Sequence, residues 1–152
     1  MDVTRELLVR YLDTWAPAAL HGGRRATFAQ AWDGPADAGL AEAAVRVFAE
    51  FSDRLRGRRL TVVLVAPDTG PLTDWLAGVP AELSVHAVAG DPAGLLPAAL
   101  TAAGAAGAPL LAYLDHDGED LAAVRAVAAG KPAELILVGP AAARRCGPPV
   151  SR

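Results

Sequence analysis

The chain has 152 residues, of which 53% are hydrophobic and 20% charged, with a formal net charge of -3. This length supports one globular domain burying roughly 70% of its unfolded surface, and the composition excludes intrinsic disorder. The slightly acidic balance gives no general attraction for nucleic acid.

An N-cap at Asp2 or Thr4 opens a helix to Trp15, with Leu7, Leu8, Tyr11, Leu12 and Trp15 on one stripe. Arg25 to Ala31 alternates weakly and meets Asp33-Gly34-Pro35, which reads as a strand running into a turn. From Leu40 to Leu55 apolar residues recur at three and four, predicting a long helix closed near Gly57. Leu60 to Val65 is a buried strand stopped by Pro67-Asp68-Thr69-Gly70-Pro71, and Leu72 to Leu76 a short helix. Leu83 to Val88 is a third strand, ended by Ala89-Gly90-Asp91-Pro92, and Gly94 to Ala106 an alanine- and leucine-rich helix. Leu110 to Leu114, Glu119 to Ala129 and Leu135 to Val138 then give strand, helix and strand.

Strands alternating with helices predict a parallel sheet built from right-handed crossovers. The expected fold is α/β: a three-layer Rossmann-like sandwich around a five-stranded parallel sheet, order 3-2-1-4-5, with an extra N-terminal helix. One domain over residues 1–140 is followed by a short helical turn and loose tail over 141–152.

The single cysteine, Cys146, excludes an internal disulfide framework and any cysteine-based zinc site within the chain. Asp2, Arg5, Glu6 and Arg10 break up the apolar residues of the N-terminal segment, and no uninterrupted apolar run reaches the ~18 residues of a membrane span. A cytoplasmic address without membrane insertion is therefore expected. Basic residues cluster at Arg24-Arg25 and at Arg54, Arg56, Arg58 and Arg59, which would suit phosphate contacts if they shared a face. The ordinary reading is that cations collect at helix C-termini, where the macrodipole is negative.

In a parallel sheet every strand's carboxyl end lies on one edge, so Asp33, Asp68, Asp91 and Asp115 come to that edge. Carboxylates there accept hydrogen bonds from sugar hydroxyls and exocyclic amines, although aspartate also favours turns and helix caps for purely local reasons. Asp33-Gly34-Pro35-Ala36-Asp37-Ala38-Gly39 lacks the glycine spacing of a dinucleotide loop and the lysine of a P-loop. Asp115-His116-Asp117 offers metal-ligand types, but adjacent residues rarely face one ion and no distant partner completes the shell. A phospho-receiver would need an acidic pair after the first strand and a lysine after the fifth, and neither is present. His116 reads more readily as a solvated turn residue than as a general base.

Several segments taken together resemble the three-Cys-motif partner proteins, a family with a class I methyltransferase-like Rossmann domain. They are the N-terminal Glu6-Leu7-Leu8-Val9-Arg10-Tyr11-Leu12-Asp13-Thr14-Trp15, Trp32-Asp33-Gly34-Pro35-Ala36 after the first strand, Asp115-His116-Asp117-Gly118 after the fourth, and Glu134-Leu135-Ile136-Leu137-Val138. The resemblance implies S-adenosylmethionine as cofactor, with Gly34 and Pro35 in its loop and Asp68, Asp91, Asp115 and Gly118 around its cleft. It also implies wear. The loop's last glycine is Ala36, the ribose-binding acid falls on Ala66 with Asp68 two positions later, and the family's proline and aromatic after Asp115 are His116 and Asp117. The chain ends where a methyltransferase adds its last two strands. Two expectations follow: a degenerate S-adenosylmethionine-dependent methyltransferase-like domain, or a non-catalytic interaction module with a protein partner, touched through Trp15, Trp32 or Trp75.

Overall fold

The aliphatic runs form one sheet because each is flanked by residues that end it and by helices that cover it. The computed structural model describes residues 3–22, 24–32, 37–51, 57–80, 83–115, 125–128 and 130–138. In chain order the elements are α1 (Val3–Gly22), β1 (Arg25–Trp32), α2 (Asp37–Ala49), β2 (Arg59–Ala66), α3 (Gly70–Leu76), β3 (Leu83–Ala89), α4 (Pro92–Ala102), β4 (Leu110–Asp115) and β5 (Ala133–Val138). Residues 125–127 are also helical. All four strand pairings are parallel and the order is β3-β2-β1-β4-β5, as the pattern of elements predicts.

Strand β1 occupies the centre, and every residue from Ala26 to Trp32 is buried. Its weak alternation has this cause: a strand covered on both faces needs no polar side. On one face Phe28, Trp32, Val62 and Leu64 pack against α1, α2 and α3 through Leu12, Phe48 and Leu72. On the other, Ala29, Val63, Val65 and Leu114 meet Leu96 and Leu100 of α4, together with Val127. The crossovers through α2 and α3 step one way from β1, and α4 returns across β1 on the opposite face to reach β4. The winding reverses between β1 and β4, so the crevice beyond their carboxyl ends is the topological switch point of this Rossmann-like fold.

Helix α1 departs from expectation in length and facing. It continues past Trp15 and through Pro17 to Gly22, because Ala16, Ala19 and Leu20 carry the buried stripe onward from Leu8 and Leu12. Leu7 and Tyr11, expected to face inward, are 61% and 42% exposed. Helix α2 stops at Ala49 rather than near Gly57: the Glu50 amide is shared between the Arg46 and Val47 carbonyls, and Phe51 bonds to Phe48, tightening the last turn. Helix α4 ends at Ala102, and Gly104 and Gly107 at φ 71° and 78° turn the chain toward β4. The helix expected over Glu119–Ala129 lies largely outside the described residues, as does the tail over 141–152.

Candidate functional site

The carboxyl edge carries the turns after β2 and β3 and the end of β4. Asp68, Asp91 and Asp115 come to this edge, each by a different local route. Asp33, Gly34, Pro35, His116, Asp117, Gly118 and Cys146 lie outside the described residues.

Asp68 is exposed, and its Oδ1 accepts the Gly70 amide hydrogen at 2.8 Å. This Asx turn launches α3, so one carboxylate oxygen serves the turn itself. Asp91 behaves differently. It holds the N-cap position of α4 in an extended conformation, with φ -68° and ψ 114°, yet its side chain makes no capping bond. The exposed carboxylate sits over the first helical turn, where a Cβ added to Gly94 would lie 3.2 Å from Asp91 Oδ2. Among the described residues its carboxylate oxygens have no hydrogen-bond donor.

The backbone before Asp91 is fixed by Gly90. Its amide donates to the Ala66 carbonyl at 2.9 Å, tying the end of β3 to that of β2. Its φ of 147° is one that side chains rarely adopt, and a Cβ would fall 2.3 Å from Leu95 Cδ1. In the sequence Gly90 is only one of the residues that stop the third strand, and its place directly before the Asp91 N-cap is the signal of a strand-to-helix turn with special geometry.

Asp115 ends β4, half-buried, in register with Trp32 of β1 on one side and Val138 of β5 on the other. It therefore stands at the carboxyl ends of β1 and β4, the topological switch point. Among the described residues, no three histidine, cysteine or carboxylate side chains gather closely enough to hold a metal ion.

The tryptophans are not the expected partner surface. Trp15 and Trp32 are buried in the core at 6% and 2% exposure, Trp15 lying edge-on to Phe48, and Trp75 packs partly buried against the same cluster. Exposed apolar surface appears instead on α1, at Val3, Leu7 and Tyr11, one turn apart. Under this stripe Leu8, Tyr113 and Ile136 line a cavity of about 270 Å³, and the Tyr11 hydroxyl donates to Glu134 Oε1 at its rim. That hydrogen bond raises the Tyr11 pKa above its ordinary value, with partial burial and the carboxylate's charge adding to it. No helix among the described residues is long and apolar enough to cross a membrane.

No protein-family model, no curated protein and no solved structure matches the chain.

Proposed function

We propose that the chain is an S-adenosylmethionine-binding, methyltransferase-like domain of the three-Cys-motif partner type, degenerate in part of its cofactor cleft. The observation that carries this reading is Asp91: an uncommitted carboxylate at the carboxyl end of β3, over the first turn of α4, where methyltransferases of this class meet the adenine amine. The cofactor would supply an electrophilic methyl group on a sulfonium. The residues proposed to bind its nucleoside end are Asp91 and Asp115, together with Gly34, Pro35 and Gly118 on the strength of the family resemblance. Asp68 fits the ribose role poorly, because one of its oxygens is held by Gly70. No side chain is assigned to methyl transfer.

Calorimetric titration with S-adenosylmethionine and with its demethylated product tests the proposal. Asp91→Ala should weaken binding about tenfold or more, the worth of a hydrogen bond to a charged group, while leaving the fold intact. Absence of heat with either ligand at millimolar concentration would overturn it.

The α1 stripe of Val3, Leu7 and Tyr11 favours a second reading, a non-catalytic module that keeps the fold and meets a protein through this helix. Its simplest case is self-association. Sedimentation of the wild type beside Leu7→Glu tests it, and a wild type that stays monomeric at high concentration counts against it.

A further inference from the structure

The edge opposite the carboxylates brings Arg24, Arg25 and Arg59 together with Lys131, which is remote from them in sequence. Arg24 precedes β1, Arg25 opens it in register with Arg59 of β2, and the Arg59 amide donates to the Arg24 carbonyl at 2.7 Å. Lys131, the only lysine in the chain, lies just before β5. Arg24 and Arg25 from one segment and Lys131 from another thus come onto one cavity of about 430 Å³ beneath the C-terminal half of α1. That volume lies within the roughly 300–1,000 Å³ of small-molecule sites. Trp15, Ala19 and Pro109 supply an apolar wall.

The electrostatics favour an anion. Three cations face one carboxylate, that of Glu134, which accepts the Tyr11 hydroxyl. Helix C-termini at this edge, those of α1 and α4 and of the helical residues 125–127 ahead of Lys131, add partial negative charge that offsets part of this excess. Among the described residues the ion pairs are Glu6–Arg10 and Glu42–Arg46, so none of the three cations is neutralised by a carboxylate. The Arg25 guanidinium donates to the Ala106 carbonyl at 3.2 Å, and among the described residues its other N–H groups have no acceptor.

We propose that this amino-edge pocket binds a small organic phosphate, with the phosphate held by Lys131 and the guanidinium groups of Arg24 and Arg25, and the apolar body against the Trp15 wall. Guanidinium groups match phosphate oxygens in paired hydrogen bonds, and an ammonium adds a compact charge. The site is separate from the carboxyl edge and does not depend on cofactor binding there.

The test uses phenyl phosphate and inorganic phosphate as probes, at low ionic strength, where exposed charges are least screened. Binding is read by calorimetry and by protection of Lys131 from acetylation, followed by mass spectrometry. Lys131→Gln and Arg24→Gln change exposed side chains, and unchanged thermal unfolding verifies their folding. Each should weaken phenyl phosphate about tenfold, whereas Arg5→Gln, on the N-terminal half of α1, and Asp91→Ala should leave it unchanged. Phenyl phosphate should bind more tightly than inorganic phosphate because of the apolar wall. The proposal is overturned if neither probe binds at about 10 mM, a dissociation constant worth only about 3 kcal/mol, or if Arg5→Gln weakens binding as much as Lys131→Gln. It is equally overturned if Lys131 is unprotected, or if a single-stranded oligonucleotide binds along the arginine row while phenyl phosphate does not.

Discussion

Gln30 lies in the middle of the central strand, fully buried, between Leu64 of β2 and Tyr113 of β4 in the sheet register. Its side chain shares the face of Phe28 and Trp32, under α1 and α2. Neither Nε2 nor Oε1 has a hydrogen-bond partner among the described residues. An unpaired polar group away from water costs about 1–3 kcal/mol, and Gln30 brings both ends of an amide. Methionine has nearly the same length and volume with no polar requirement, so Gln30→Met should stabilise the protein by about 2 kcal/mol. For a chain of this length that corresponds to a rise of about 4–8 °C in Tm. Reversible thermal unfolding, followed by circular dichroism and paired with urea titration at an unchanged m value, measures it. Gln30→Glu, of the same size but charged, should cost at least about 3 kcal/mol because the charge would be buried without a partner. If Gln30→Met unfolds at the wild-type temperature or below it, the amide is satisfied in solution and the reasoning fails.

Phe48 is fully buried, with ring centroids 5.4 Å from Phe28 and 6.2 Å from Trp15, and Phe48→Ala should cost about 3–5 kcal/mol in urea unfolding; a loss under about 1 kcal/mol would contradict the assigned core. At Gly130 a Cβ would lie 2.5 Å from Leu110 Cβ and 3.2 Å from the Ala108 carbonyl oxygen, so Gly130→Ala must displace the start of β4. A loss of about 1–3 kcal/mol is expected, and a neutral outcome would mean that this turn is more open than described. The raised Tyr11 pKa means that the folded protein holds the phenol proton more tightly than the unfolded chain, whose pKa is near 10.0. The resulting stability is fully present below that pH and is lost as pH rises through the folded value. Tyr11→Phe should remove this alkaline component, and ultraviolet difference titration against the variant should show the Tyr11 phenolate forming above pH 10.0.

The strands and their order were legible because the signals were local and mutually consistent. Aliphatic runs such as Leu60–Val65 stop at proline, glycine and aspartate, and alternation with helices leaves few topologies. The facing of α1 was not. Leu7 and Tyr11 look like core residues by type, but the helix buries the adjacent stripe, whose later members Ala16 and Ala19 carry little hydrophobic signal, and Pro17 resembles a stop. At the candidate site, sequence brought Asp68, Asp91 and Asp115 to one edge but could not separate them. Whether a carboxylate is spent on its own turn, as Asp68 is on Gly70, depends on backbone geometry that residue type does not encode. The cation pocket was illegible for another reason: it depends on the register of Thr27 with Leu110 and of Leu110 with Ala133, which sets where Lys131 enters beside Arg24 and Arg25.

The parallel sheet sorts charge by its own polarity. Helices run back against the strands, so their N-termini crowd the carboxyl edge and their C-termini the amino edge, favouring carboxylates on the first and cations on the second. That field accounts for the general distribution of Asp68 and Asp91 against Arg24, Arg25 and Arg59. It does not account for what is left uncommitted. A carboxylate placed only for the helix would be expected to cap it, yet Asp91 stands at the N-cap of α4 without making that bond. Cations placed only for helix ends need not converge on a cavity with an apolar wall, yet Arg24, Arg25 and Lys131 do. Local stability thus explains why these residue types lie at their edges, and the unused hydrogen-bonding capacity at Asp91 and in the amino-edge pocket is where ligand recognition has to be sought.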